Sequence, residues 1–380
     1  MIDASGASGE VDLIQLLTPA GERVDHLDYA FAGDDEQVRA CYTDMVLVRR
    51  VDAEAIALQR QGELGVWPSS LGQEGAQIGA GRAMLRQDYA FPTYREHGVA
   101  WCRGLDPLRL LAMYRGVDLG AWDVHEHGFH LYAIIIGSQA LHAAGYAMGI
   151  ERDGLVGTGD PGRDAAVIGF FGDGATSQGD VNEAFVFAAS YNSPVVFFCQ
   201  NNQWAISEPS ERQSRIPLYR RAQGFGFPGV RVDGNDVLAV HAVTSAALER
   251  ARSGNGPTLI EAYTYRMGAH TTSDDPTKYR LADELEHWRS KDPISRVRAY
   301  LARHTDTDDD FFAAVDAEAD ELATNLRAAC LALPEPTAAD AFGWVYAEQT
   351  PSLVEQAARH ADYLASFDLS GSTPGVGGRA

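Results

Sequence analysis

Two polar clusters in the chain have the residue types and spacing for anchoring a phosphorylated ligand through a cation. Gly172-Asp173-Gly174 and Asn201-Asn202 are separated by 26 residues. Asp173 offers a charged hard oxygen and Asn202 a neutral one, a pairing that suits Mg²⁺ or Ca²⁺ shared with phosphate oxygens rather than a soft metal. Gly172 and Gly174 would let the backbone approach a phosphate closely, and a helix starting after Gly174 would present free N–H groups and its positive dipole end. Further along, His270 sits in the polar run Arg266–Pro276, placed to act on whatever binds there, and a loop histidine bonded to a neighbouring aspartate is its other reading. Upstream, Tyr94 and Arg95 offer a ring face and a guanidinium fork suited to phosphate, and a structural salt bridge is the other reading of that arginine.

These groups need a scaffold that brings them to one place. Ala165–Phe171 and Pro194–Cys199 are short apolar runs without alternation, the pattern of strands buried on both faces of a parallel sheet. Between them Val181, Ala184, Phe185 and Ala188 fall at helical spacing. In the resulting strand–helix–strand unit both polar clusters lie at the carboxyl edge of the sheet, where open α/β folds bind ligands. Gly229–Asp233 and Pro257–Tyr265 read as further strands around a helix at Val237–Arg252, with Gly234-Asn235-Asp236 as turn and cap. The second of these strands delivers His270 to the same edge. The fold class expected is α/β, a doubly wound and mostly parallel sheet with a helical C-terminal extension.

Around this centre, Asp35–Gln61 and residues 105–115 read as amphipathic helices, and a further helix is expected from about Ser69–Ala76 to Leu85. Glu74 in its first turn is expected to be a capping or dipole residue rather than a catalytic acid. Arg49, Arg50 and Arg60 are expected in salt bridges or on a solvated face. His125, His127 and His130 crowd one loop, read as a channel or subunit-contact loop in preference to a zinc site, because no HxxxH or cysteine partner accompanies them. Ser138–Ile150 is a helix dense in Ala and Gly, suggesting a tight packing surface. Residues 1–34 form a polar arm whose Leu13, Ile14, Leu16 and Leu17 could dock on a neighbour. Residues 35–367 form the main domain, helical from about 283 onward, and 368–380 a disordered tail.

Composition narrows the class. The 380 residues carry a formal charge of −22, and lysine occurs only at Lys278 and Lys291, which argues against nucleic acid or an anionic membrane as partner. Four scattered cysteines show no paired spacing, and Cys199 lies within a buried strand, implying a reducing compartment. The N-terminus lacks a signal core and no apolar run is long enough to span a bilayer, so a cytoplasmic location is expected. The glycine patterns of nucleotide-binding modules, GxGxxG and GxxxxGK[ST], are absent after the strands.

The Gly172–Gly174 and Asn201-Asn202 pair resembles the GDG…NN signature of thiamine-diphosphate enzymes. Residues 35–367 resemble the α subunit of the first (E1) component of 2-oxoacid dehydrogenases, through LGQEGAQIGA, TYREHG, GDGATSQGD…NN, RVDGNDV and TYRMGAHTTSDDPTKYR in that order. The last block and HWRSKDPISRVRAYL look closer to the branched-chain members. The resemblance implies the thiamine-diphosphate-binding fold. It also implies decarboxylation of a branched-chain 2-oxo acid on thiamine diphosphate, with the acyl group passed to the lipoyl domain of E2. A pyruvate or acetoin α subunit is the nearest alternative, and a non-catalytic binding protein with the same fold is a distant one.

By the same resemblance, Asp173, Asn202 and the backbone carbonyl of Trp204 would hold Mg²⁺. Tyr94, Arg95 and Gly172, Asp173, Gly174, Ala175 would contact the cofactor, Ile136 would prop it in its bent form, and His270 would contact its diphosphate and assist acyl transfer. Ala269 stands where branched-chain relatives often carry a second histidine, Gln200 replaces a diphosphate-contacting arginine, and Thr271 occupies the position of a regulatory serine in eukaryotic members. Thiamine enzymes need a glutamate on the aminopyrimidine. In this family it belongs to the β subunit, so an α₂β₂ tetramer is implied in which the α chain binds half of the cofactor.

Overall fold

The computed structural model describes residues 13–118 and 122–368. Seven strands follow along the chain: β1 (Tyr89–Phe91), β2 (Val167–Gly172), β3 (Val195–Asn201), β4 (Trp204–Ala205), β5 (Glu208–Pro209), β6 (Gly229–Asp233) and β7 (Thr258–Tyr263). Five of them form one parallel sheet in the order β1-β2-β3-β7-β6, while β4 and β5 make a small antiparallel hairpin. Register explains how the sheet serves a site: Gly172 pairs with Gln200 and Asn201 with Tyr263, so β2, β3 and β7 end level with one another.

Both faces of the sheet are covered. Ile168, Phe170, Val196, Phe198 and Ile260 pack under the helices Asp35–Arg60, Glu74–Ala83 and Val237–Arg252. Val167, Phe171, Val195, Phe197 and Leu259 face the helices Ser138–Arg152 and Gly179–Ser190. Two cores on one sheet account for the non-alternating strand sequences, since β2, β3 and β7 are covered on both faces. Removing one such ring, as in Phe197→Ala, would cost roughly 3–5 kcal/mol.

The alanine-rich helix Ser138–Arg152 divides its small residues between two faces. Ala140, Ala143, Ala144 and Ala147 are buried, and a Cβ on Gly169 would come within 3.0 Å of Ala143 Cβ. That side lies hard against β2. A methyl group added at Gly145 or Gly149 would instead meet nothing within 4 Å, so the tight surface expected from composition is half used within the chain.

At the C-terminal end, helices Pro293–His304 and Asp309–Leu331 fold back on the first helix, with Phe312 edge-on to Tyr42 at 5.3 Å. Helix Pro351–Asp368 closes the described chain, and residues 369–380, expected as a tail, lie outside it.

The N-terminal arm departs from expectation. Leu16 and Leu17 are buried against the chain's own sheet and not on a neighbour. Ile14 extends the edge beside β6, donating to the Arg231 carbonyl at 3.0 Å and accepting from Asp233 at 2.9 Å. The anchor is Asp236. One carboxylate oxygen caps the helix Val237–Arg252 through Leu238 and Ala239, both at 3.1 Å, while the other accepts the amides of Leu16 at 2.7 Å and Leu17 at 2.5 Å. Asp236→Ala strands these buried N–H groups and removes the cap, an expected loss of about 3 kcal/mol by urea denaturation, with new proteolytic cleavage in residues 18–30. An unchanged midpoint and an intact arm would refute the anchoring role.

Candidate active site

Three loops leave the carboxyl edge at β2, β3 and β7 and enclose a cavity of about 630 Å³. Its walls include Tyr94, Arg95, Ile136, Gly172, Asp173, Gly174, Ala175, Asn202, Trp204 and His270, so the ten residues expected to meet the cofactor or its cation reach one place. The level strand ends bring them together from positions up to 176 apart in the chain.

One side gathers hard oxygen groups. Asp173 is 2% exposed, and burial pushes its carboxyl up to about 7, with Arg266 pulling weakly the other way. Its side-chain contact within the chain is Gln213 Nε2 at 3.1 Å, so the buried charge is only partly compensated. Asn202 donates Nδ2 to Gln73 Oε1 at 3.0 Å, and its Oδ1 accepts the Trp204 amide at 3.3 Å. A buried carboxylate and an amide oxygen with a second lone pair fit a hard divalent ion. Trp204 complicates the set: Arg266 Nη1 donates to its carbonyl at 2.8 Å, so a cation would have to share or displace that guanidinium. The Trp204 indole packs on Tyr279 and donates to Glu284 at 2.9 Å.

The two glycines beside Asp173 do different work. A Cβ on Gly172 would meet nothing nearer than the Gln200 carbonyl at 4.0 Å, leaving a bare backbone cradle. On Gly174 it would come within 2.7 Å of Ala205 Cβ, so that glycine is required by the β4–β5 hairpin and not by a phosphate. The element after Asp173 also differs from expectation. A 3₁₀ turn spans Asp173–Ser177 and the α-helix begins only at Gly179, so the nearest free N–H groups belong to the short turn.

Across the cavity, arginines converge on His270. Arg95 Nη1 donates to the Ser69 carbonyl at 2.5 Å and Nη2 to the His270 carbonyl at 2.8 Å. Burial, then Arg95 and Arg266, hold the His270 imidazole down to about 3, so it is neutral at physiological pH. Its Nδ1 lies 3.3 Å from Arg95 Nη2 and 3.3 Å from Arg266 Nη1. Arginine only donates, so Nδ1 accepts and the proton resides on Nε2, making His270 a hydrogen-bond donor. Tyr94 meets the imidazole edge-on at 6.2 Å. The loop itself is tied by Asp274, which accepts the His270 amide at 2.8 Å and the Tyr279 hydroxyl at 2.5 Å.

At the mouth, Ile134, Ile135, Ile136 and Ile206 are exposed, Ile135 to 76%. Ile206 has φ +56°, a strained conformation for a β-branched residue, with its carbonyl held by Arg266 at 2.7 Å. The histidine loop takes no part: His127 bonds the Arg103 carbonyl, His130 stacks on Phe91 at 4.8 Å, and no metal-ligating group of three exists among the described residues. Glu74, in the first turn of its helix as expected, accepts the Gly72 amide at 2.9 Å, and it is also a fully buried partner of Arg49, bidentate at 2.8 Å.

Sequence reasoning passed over several residues. Glu96, inside TYREHG, lines the cavity and accepts Thr93 N and Oγ1, both at 2.6 Å, and Gln200 Nε2 at 2.7 Å. It is the one glutamate among the lining residues, and both its oxygens are committed to the chain. Arg280 ties the carbonyls of Arg266, Met267 and Gly268 at 2.5, 2.9 and 3.1 Å. Gln73 and Gln139 each turn a buried, unpartnered polar atom toward the site wall. The signal that could have found Glu96 is its place inside the quoted motif, beside Arg95.

A parallel sheet whose carboxyl-edge cavity gathers a buried aspartate, two arginines and a neutral histidine is the architecture of an α/β enzyme site. Residues 42–328 match the Dehydrogenase E1 component family, and the chain belongs to it, as an α subunit of a 2-oxoacid dehydrogenase E1. That family is generally dependent on thiamine diphosphate. The chain is 44% identical to the 3-methyl-2-oxobutanoate dehydrogenase subunit alpha of Mycobacterium tuberculosis over 93% of its length and 95% of the relative's. It is 40% identical to the pyruvate dehydrogenase E1 component subunit alpha of Acholeplasma laidlawii over 87% and 94%. With the protein of that same name from Staphylococcus aureus it shares 38% identity over 76% of each chain.

Burial of Asp173 makes a pH-dependent prediction for the cation-free protein. The unfolded side chain ionises near 3.8 and the native one near 7, so the native state binds more protons between those values. Stability therefore falls as pH rises through that window, by a few kcal/mol at most, and the loss is complete above it. Asp173→Asn removes the titration, so its Tm is expected to exceed the parent's at pH 8 and to converge with it toward pH 4. Melting curves in EDTA at both pH values check this, and parallel curves for the two proteins would contradict it.

Proposed function

We propose that this chain binds the diphosphate half of thiamine diphosphate through Mg²⁺ and works on a branched-chain 2-oxo acid, with a β subunit completing the site. The carrying observation is the convergence of Asp173, Asn202, Arg95 and His270 on one cavity in an E1 α chain. Asp173 and Asn202 would hold the ion, with the Trp204 carbonyl joining as Arg266 gives way. When bound, the thiazolium supplies the electron sink for decarboxylation.

The chain's own residues orient and solvate. Arg95 and Arg266 bring positive charge to the cavity wall, suited to diphosphate oxygens. His270 presents Nε2–H as a hydrogen-bond donor that can stabilise an oxygen or sulfur carrying negative charge during transfer to a lipoyl group. Val66, Pro68, Tyr114, Ile134 and Ile136 give the wall an apolar stretch that fits an aliphatic acyl chain and excludes water.

A β subunit is supported on two grounds. The lining glutamate, Glu96, has both oxygens engaged, so it is not free for the aminopyrimidine. The exposed isoleucines at the mouth form the kind of apolar rim that a partner covers. A cytoplasmic location fits the four unpaired cysteines and the absence, among the described residues, of any helix long and apolar enough to cross a membrane.

The test is co-expression with the adjacent β-subunit reading frame and assay of thiamine-diphosphate- and Mg²⁺-dependent decarboxylation of 3-methyl-2-oxobutanoate, 4-methyl-2-oxopentanoate and pyruvate. Preference for the branched acids is expected, and preference for pyruvate would overturn the substrate assignment. Asp173→Ala is expected to abolish cofactor retention, whereas His270→Ala retains cofactor and loses about 10²-fold or more in lipoyl acylation. Substantial activity of the α chain without β would refute the shared site.

A further inference from the structure

Behind the cavity, away from the residues assigned above, buried hydrogen bonds concentrate on the turn Trp67–Ser70. Asp52, 2% exposed on the helix Asp35–Arg60, accepts Trp67 Nε1 at 2.8 Å, Ser69 Oγ at 2.6 Å and the Ser70 amide at 2.9 Å. His97 stacks on the Trp67 ring at 4.3 Å and 19°, with Nε2 3.0 Å from the Pro68 carbonyl. A carbonyl only accepts, so Nε2 carries the proton and Nδ1 accepts from the Tyr132 hydroxyl at 2.8 Å.

The outer side of the same turn meets the His270 loop. Trp67 and Thr272 pair twice: the Trp67 amide donates to Thr272 Oγ1 and the Thr272 amide to the Trp67 carbonyl, both at 3.0 Å. The Ser69 carbonyl accepts Arg95 Nη1, and the other arm of that guanidinium holds the His270 carbonyl. Asp52 hydrogen-bonds to none of the cavity-lining groups, and its charge acts on Arg95 only through space, yet the turn it fixes is the shared support of Arg95 and His270.

We propose that Asp52 is a positioning residue, which fixes Arg95 and the His270–Thr272 loop by holding the Trp67–Ser70 turn from behind. Its catalytic meaning rests on the function proposed above; the mechanical link does not. Two features fit the assignment. All three donors belong to the turn, so one carboxylate sets its position in the direction of the cavity. The acceptor geometry, rather than the charge, carries the role. Asparagine can keep Oδ1 for Trp67 and Ser70 while the Ser69 hydroxyl reverses to accept from Nδ2.

The experiment compares Asp52→Ala and Asp52→Asn in the full α chain co-expressed with β. It reads amide hydrogen exchange at residues 270–272 without cofactor, apparent Kd for thiamine diphosphate with Mg²⁺, and Tm. In Asp52→Ala, exchange at Thr272 is expected to rise about tenfold or more, with affinity weakened by a similar factor. Asp52→Asn is expected to restore both to within about threefold although its Tm falls too. Affinity that simply tracks Tm across the two variants, or unchanged exchange in Asp52→Ala, overturns the proposal. Equal loss in both variants also overturns it, because charge and not hydrogen-bond geometry would then be responsible. Should Asp52→Ala fail to fold, the double variant Trp67→Phe, Ser69→Ala keeps the ring stack and is expected to show the same faster exchange, whose absence counts against the proposal. A parent complex that binds no thiamine diphosphate, while Asp52→Ala still loosens residues 270–272, would remove the functional reading and leave the positioning role standing.

Discussion

Parallel pairing of β2, β3 and β7 in level register is the constraint on which the site depends. A one-residue slip of β3 against β2 would invert which side of the sheet each phenylalanine enters, exchanging the residues of the two cores. It would also move Asn202 by about 3.3 Å along the strand axis relative to Asp173. A shift of that size separates a cation-sharing pair from two unrelated polar groups. The packing of the two cores and the geometry of the site are therefore one requirement.

On that frame burial sets the electrostatics of the cavity. Asp173 has Gln213 as its side-chain partner, and burial raises its carboxyl to about 7 against the pull of Arg266. Burial, then Arg95 and Arg266, keep His270 neutral, and these two guanidiniums, like that of Arg280, are satisfied mainly by backbone carbonyls and not by carboxylates. Guanidiniums bonded to carbonyls retain their net charge toward the cavity, whereas those paired with acids, such as Arg49 with Glu74 and Asp292, do not. The distinction separates arginines available to an anion from arginines that hold helices together.

Strain and openness gather at the mouth. Ile206 adopts a left-handed conformation on the β4–β5 hairpin, held by the arginine that also occupies the Trp204 carbonyl. Ile134 and Ile135 stand largely exposed beside it. A surface this apolar at the entrance of a binding site is costly in water, and a covering partner removes that cost.

Local patterns in the sequence determined β2, β3, β6 and β7, the longer helices and the candidate site residues. Apolar runs of a given length have one low-energy way to bury both sides, and Gly, Asp and Asn at strand ends have few roles other than turning and binding. Asp173 and Asn202 were legible as candidates for that reason, as were the cap at Asp236 and the helix it begins, whereas Arg95 and His270 were candidates by residue type alone and β1 and the β4–β5 hairpin left no pattern. What tertiary structure decided were the relations between distant segments. These include the arm folding onto its own sheet, Glu74 buried against Arg49, Gly174 shaped by Ala205, the Nε2 tautomer of His270, and the carboxylate of Asp52 behind Trp67. Each depends on which groups meet across 15 to 220 residues of chain, and hydrogen-bond partners at that separation leave no periodic trace in the sequence.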